Sequence, residues 1–358
     1  MLAVAALSAQ QPPPPIASPE VHPDRTITFR LRGPDVSKVV LRASWAGEPK
    51  PMTKGEDGVW SVKIGPVEPD ILSYMYEIDG VVVVDPHNPR VKLWEGGASS
   101  LVEVPGDKPR FYDLQSVPHG DLHVHYYDSA AVDHARRLHV YTPPGYEESS
   151  DRTYPTFYLL HGAGDNDSTW SAVGQANLIL DNLLAEGRVQ PMVVVMTNGH
   201  PVPFAQRRAL LGKNVGLYVQ DLTESVIPLI ESKYRVRRDR GSRAIAGLSM
   251  GGGQALQAGL GRLDLFSSIG AFSSAVIDPS ENKVIQDLVA NPEASNKKIG
   301  LLWIAIGKND FLLERNQQFI ALLNEKSIEH EYHLTEGDHS WPVWQRYLRD
   351  FAPRLFQP

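Results

Sequence analysis

The sequence predicts two domains of different class: an all-β sandwich over residues 21–106, then an α/β domain with a mainly parallel sheet over residues 107–358. A leader remnant and proline-rich linker, residues 1–20, precede them. Three observations carry this reading. Short runs of alternating hydrophobicity, punctuated by Gly and Pro and without a helical period, fill the first part. Beyond Gly120, near-continuous apolar runs alternate with amphipathic stretches, as in parallel strands covered by helices on both faces. Finally, Gly247-Leu248-Ser249-Met250-Gly251 stands where the apolar run Ala244–Ala246 stops and a helical pattern begins. A length of 358 residues suits two domains with a sizeable core.

Met1 to Gln11 has the apolar, small-residue composition of a secretory signal but no basic leading region. It reads as a signal peptide whose first residues are missing from this start site, so a secreted or periplasmic location is expected. Pro12 to Pro15 open an extended spacer. Strands are expected at Thr26–Arg32, Val39–Trp45, Gly58–Ile64 and Ser73–Asp79, separated by Gly55, Gly65-Pro66, Gly80 and Pro86. The order Gly58-Val59-Trp60, Tyr74-Met75-Tyr76, Ile78-Asp79-Gly80 and Asp85-Pro86 resembles the early-set, immunoglobulin-like sandwich of family 48 carbohydrate-binding modules and of the N-terminal domains of several esterases. Trp60, within strand alternation, reads as core. For Trp45 and Trp94, beside Gly-rich or Pro-rich loops, two readings stand: core packing, or a flat apolar platform for a sugar ring.

Arg110 to Gly120 looks like the join between domains. Asp121–Tyr127 and Arg137–Thr142 read as a hairpin, and Thr156–His161 and Met192–Met196 as strands. Asn177–Gly187 and Tyr218–Tyr234 read as helices. The helix after Ser249 runs toward Gly259. Strands follow at Phe266–Phe272, Gly300–Ile306 and His330–Leu334, with helices at Asn316–Lys326 and Val343–Leu355.

Composition excludes several functions. With 35 basic and 42 acidic residues, net charge −7, the chain has no long basic run. The nearest, Arg235–Arg240, is broken by Asp239 and reads as a solvated connection, so no nucleic-acid partner is expected. The absence of cysteine excludes disulfides, a Cys nucleophile and thiolate metal sites. No stretch after the leader is long and apolar enough to span a bilayer, so no membrane insertion is expected. His123 and His125 share a strand face but lack a third ligand signal, and neither metal nor cofactor is expected.

A G-x-S-x-G match arises by chance in roughly one chain in eight of this length. Its context matters more. A strand-to-helix elbow holds its serine in a strained conformation with the hydroxyl exposed, and a Cβ at Gly247 or Gly251 would collide with the neighbouring strand and helix. A serine hydroxyl is a poor nucleophile, so Ser249 needs a base and a third group to orient that base. The order Ser, acid, His, each in a loop after a strand, is met by Asp310 in Lys308-Asn309-Asp310-Phe311 and His339 in Gly337-Asp338-His339. Asp338 reads as a loop former, Asp221 as a local helix partner, and His161 as a brace for the loop that follows. That loop, His161-Gly162-Ala163-Gly164, follows a strand where a second oxyanion donor belongs. The backbone N–H groups of Ala163 and Met250 are the expected donors, each worth about 3 to 4 kcal/mol to a tetrahedral intermediate.

Together, Tyr158–Gly164 with Trp170, Asn198-Gly199, Ile227-Pro228 to Tyr234, Gly247–Gln254, Gly307–Asp310 and Gly337–His339 resemble carbohydrate esterase family 1, the esterase D-like group of feruloyl and acetylxylan esterases. One departure is Ser168-Thr169-Trp170, where many relatives carry an acidic residue before the tryptophan. The resemblance implies an α/β-hydrolase fold, catalytic roles for Ser249, Asp310 and His339, oxyanion roles for Ala163 and Met250, and ester decorations of plant cell-wall polysaccharide or oligosaccharide as substrate. Feruloyl esters of arabinoxylan lead. Acetylxylan, a siderophore trilactone, and a catalytically silent carbohydrate-binding role are the alternatives. Trp170, Gln254 and Trp341 are candidates for the pocket wall.

Overall fold

The computed structural model describes residues 15–203, 206 and 213–357. The expected leader, Met1 to Gln11, lies outside the described residues. The chain divides into two compact units. One runs to Lys92 and includes Ala98–Asp107; the other comprises Leu93–Gly97 and the chain from Lys108 onward.

The first unit is a sandwich of two antiparallel sheets. One contains β1 (Glu20–Val21), β2 (Ile27–Arg32), β5 (Thr53–Lys54) and β6 (Val59–Ile64), in the order β1-β2-β6-β5. The other runs β4 (Lys50–Pro51), β3 (Val39–Arg42), β7 (Ile71–Ile78), β10 (Gly97–Glu103), β9 (Val91–Trp94), with β8 (Val81–Val83) paired to β7. The alternation read from the sequence is the inward face: Ile27, Phe29, Leu31 and Trp60 of one sheet meet Leu41, Tyr74, Tyr76 and Val102 of the other in one buried cluster. The strand expected through Trp45 is shorter. It ends at Arg42, and Ser44–Ala46 form a 3-10 turn that returns Trp45 onto the core.

Among the hydrophobic residues lies one buried carboxylate. Asp85 accepts hydrogen bonds from Ser18 (2.7 Å), Tyr74 (2.7 Å) and Tyr76 (3.2 Å) through one oxygen, and from the His87 N–H (2.8 Å) through the other. Burial first, and then the Asp85 charge, push both tyrosine hydroxyls well above their ordinary pKa, so they remain donors.

The second unit is an α/β-hydrolase fold built on eight strands: β11 (Asp121–Asp128), β12 (Ala135–Thr142), β13 (Thr156–Leu160), β14 (Val193–Thr197), β15 (Arg243–Leu248), β16 (Ser268–Phe272), β17 (Leu301–Gly307) and β18 (Glu331–Thr335). Their order is β11-β12-β14-β13-β15-β16-β17-β18. The β11–β12 hairpin is antiparallel, and β12 meets β14 antiparallel; from β14 to β18 every pairing is parallel. Strands β13, β14, β15 and β16 are buried throughout, which explains their continuous apolar sequence.

Register places the chemistry-bearing loops together. Leu160 at the end of β13 lies beside Gly247, and Gly307 at the end of β17 lies beside Thr335. The long helical pattern from Tyr218 is one helical run with a change of pitch. Asn214–Asp221 is α-helical, Leu222–Val226 is a π turn, and Ile227–Lys233 is α-helical again. Pro228 has no N–H to return to a carbonyl one turn back, and the π turn immediately before it absorbs that mismatch. Three helices, Thr169–Ala172, Lys283–Ala290 and Pro292–Asn296, have no counterpart in the sequence reading. No helix among the described residues is long and apolar enough to cross a membrane.

Replacing Asp85→Ala leaves three buried hydroxyls without their shared acceptor. A loss of roughly 2 to 4 kcal/mol is expected, read as a lower urea midpoint, with Asp85→Asn recovering part of it.

Candidate active site

The site begins with a lack of space. A Cβ at Gly247 would lie 2.5 Å from the Gly251 backbone and 2.7 Å from the Leu160 Cβ; one at Gly251 would lie 2.4 Å from the His161 carbonyl. No side chain fits at either position, so β15 and the helix Met250–Gly261 come closer than any other residue type would allow. Between them Ser249 is held at φ 53°, ψ −117°, a conformation L residues rarely adopt. Three backbone bonds lock it: Ser249 N–H to Phe272 O (2.9 Å), and Gly253 N–H (3.1 Å) and Ala275 N–H (2.8 Å) to Ser249 O.

His339 Nε2 lies 2.9 Å from Ser249 Oγ, and His339 Nδ1 lies 2.9 Å from Asp310 Oδ2. The carboxylate only accepts, so Nδ1 carries the proton in the neutral ring and Nε2 is left to accept from the serine hydroxyl. Asp310 is fully buried at its side chain, which pushes its pKa up. The bonds from His339 and from the Leu312 N–H to Oδ1 (2.8 Å) outweigh that, and the carboxyl lies below its ordinary value. The two supporting loops are joined by Lys308 N–H to Thr335 O (2.8 Å) and Asn309 N–H to Gly337 O (3.0 Å). Such a line can take a proton from the hydroxyl and return it to a departing oxygen.

The loop after β13 closes over the elbow. A Cβ on Gly162 would lie 3.3 Å from the Ser249 Cβ. His161 braces it as an Nδ1–H tautomer: Nδ1 donates to Gly162 O (2.8 Å) and Nε2 accepts the Gly199 N–H (2.8 Å). Beside it, His200 Nε2 accepts the Gly164 N–H (3.2 Å) and lies 3.3 Å from the Glu95 carboxylate, while the Glu95 N–H donates to Gly164 O (2.8 Å). Met250 opens its helix, where a backbone N–H has no intrahelical acceptor. Ala163 sits at the head of the braced loop.

Other expected residues fall elsewhere. Trp170 and Gln254 do not form a pocket wall. Both are fully buried, Trp170 donating its indole N–H to Leu160 O (2.9 Å) and Gln254 its amide to Gly199 O (2.7 Å). Both stand within the motifs that carry the family resemblance, but their side chains are packed inside the core. Trp341 is half-buried and edge-on to Trp170 (5.1 Å) and Trp344 (5.4 Å). Trp45 gives one face to the sandwich core, its N–H donating to Ser73 O (2.8 Å), whereas Trp94 is exposed beside Gly96 and Gly97. Asp221 binds Tyr127 and Ser129 (2.8 and 2.5 Å), and His123 and His125 bind Thr142 and Tyr234. Asp338 is exposed and accepts from Ser340. Sequence reading overlooked Trp344, whose ring meets His339 edge-on at 4.9 Å. Its spacing of three from Trp341 on a helix just after the histidine was the available signal.

Known proteins match this architecture. The family described as "Putative esterase" matches residues 129–355. An "Endo-1,4-beta-xylanase/feruloyl esterase" of Xylanibacter ruminicola is 29% identical over 350 residues, covering 95% of this chain and 46% of its own length. The chain thus spans about half the length of that curated relative. A CE1 ferulic acid esterase from Anaeromyces mucronatus, solved in complex with ferulic acid, aligns over 70% of this chain and 96% of its own at TM-score 0.60 and 24% identity. The enterobactin esterase of Shigella flexneri, solved with enterobactin, aligns over 93% of both chains at TM-score 0.66 and 18% identity. At these identities the two structures speak for the fold.

Two measurements probe the site. Gly251→Ala forces the elbow apart and is expected to slow fluorophosphonate labelling at least about a hundredfold. Burial holds the His161 pKa below its ordinary value, while the unfolded ring titrates near about 6.5. This contribution to stability is complete above that pH and is lost as pH falls below it, because the unfolded chain then binds a proton the folded chain refuses. His161→Gln, which keeps a donor and an acceptor but cannot titrate, is expected to flatten that acid decline in denaturation midpoints.

Proposed function

The chain belongs to this esterase family, and we propose that the protein is a serine carboxylesterase acting on ester decorations of plant cell-wall polysaccharide, with feruloyl esters of arabinoxylan as its substrate. The observation that carries the reading is the unbroken line Ser249–His339–Asp310, with 2.9 Å at each step. The name and 95% coverage of the Xylanibacter relative support the acyl and polymer classes.

Ser249 attacks the ester carbonyl while His339 takes its proton, and Asp310 stabilises the resulting imidazolium. The Ala163 and Met250 N–H groups receive the oxyanion. His339 then protonates the leaving sugar oxygen, and water repeats the sequence on the acyl-enzyme. The chemistry requires neither metal nor cofactor. The sandwich is assigned the role of a carbohydrate-binding-like domain; Trp94, in the Leu93–Gly97 segment that groups with the second unit, is a sugar-stacking candidate, and Trp341 is assigned the role of a pocket-wall residue. A polymer that does not cross membranes agrees with secretion to the periplasm or beyond, as does the composition of Met1 to Gln11.

Ser249→Ala is expected to abolish both fluorophosphonate labelling and ester hydrolysis, and Asp310→Asn to lower kcat by roughly three to four orders of magnitude. Wild-type protein that fails to label at Ser249 would overturn the esterase mechanism. Among substrates, methyl ferulate should be cleaved faster than acetylated xylan. Turnover of acetylated xylan alone would make acetate the acyl group, and turnover of ferric enterobactin alone would favour the siderophore reading that the Shigella fold similarity keeps in view.

A further inference from the structure

Phe311 is the most exposed large apolar side chain among the described residues, at 76%. The turn that fixes the acid also presents this ring. Asp310 N–H bonds to Gly307 O (3.2 Å), Asp310 Oδ1 takes the Leu312 N–H (2.8 Å), and Leu313 N–H bonds to Asp310 O (3.0 Å), leaving the intervening residue at the tip. From there the Phe311 ring approaches the His339 imidazole, with centroids 4.4 Å apart and planes 51° apart. The other aromatic neighbour of that imidazole, Trp344, is buried, so Phe311 is the one of the pair that offers a free face.

During acylation His339 must deliver its proton to the departing oxygen, which places the leaving alcohol within hydrogen-bond reach of Nε2. A group attached to that oxygen then comes within reach of the side chains that flank the imidazole, of which Phe311 is the exposed one. We propose that Phe311 forms a stacking subsite for the sugar that carries the ester, on the leaving-group side of the site; this rests on the polysaccharide-ester reading above. A phenyl face suits the apolar C–H side of a sugar ring and makes no demand on its hydroxyl pattern. The subsite therefore senses that a sugar is present, whatever acid the ester carries.

The test compares wild type, Phe311→Ala and Phe311→Trp on methyl ferulate and on a feruloylated arabinoxylo-oligosaccharide. In Phe311→Ala the ratio of kcat/KM for the oligosaccharide to that for the methyl ester should fall about five- to tenfold, carried by KM. Phe311→Trp should restore it. In a Ser249→Ala background, Phe311→Ala should weaken binding of the ester-free oligosaccharide by a similar factor. A ratio that does not change overturns the subsite: both substrates falling together would mean that the ring only shields His339. Wild-type enzyme that cleaves neither substrate overturns the ester reading itself, a different result from a constant ratio.

Discussion

The active centre depends on an excluded volume. Gly247, Gly251 and Gly162 leave no room for a methyl group against Leu160, His161 and Leu248. That contact brings β15, its helix and the loop after β13 together in one place. Ser249 takes its left-handed conformation because the chain must reverse within one residue there, and the strain is held by bonds to Phe272, Gly253 and Ala275. Once the turn is fixed, the first N–H of the helix and the head of the β13 loop are fixed with it.

A second layer of neutral polar groups maintains this crowding. His161 links its own loop to Gly199, and Gln254 links the elbow helix to the same glycine. Both are buried, and an unpaired donor at either place would be costly. These residues act on the serine only through the loops they hold, and burial keeps His161 uncharged, so the loop does not respond to a proton on that ring at neutral pH.

Much of this was legible in the sequence because it is local. The elbow, the order of Ser, acid and histidine, and the strand-ending glycines are short-range patterns, and strands β13 to β18 fell within a few residues of expectation. What was not legible depends on orientation. Trp170 and Gln254 read as pocket-wall candidates, but which side of a helix faces solvent is decided by packing from distant strands, and both are buried. Trp45 was expected to continue a strand, and a 3-10 turn folded it onto Phe29 instead, with ring centroids 6.3 Å apart. The π turn before Pro228 has no period of its own and reads as ordinary helix. Phe311 follows the acid directly in sequence, yet only the three-dimensional turn shows that its ring reaches the histidine.

Strands β13, β15, β17 and β18 all deliver their chemistry-bearing loops at their carboxyl ends, and their parallel register brings those ends to one rim of the sheet. The opposite rim carries none of Ser249, Asp310, His339 or the β13 loop. The fold therefore separates two kinds of sequence change. Substitutions along the amino-terminal rim can alter expression, solubility or heat tolerance as an independent variable, while the loops of the carboxyl rim can be exchanged to alter substrate preference on an unchanged scaffold.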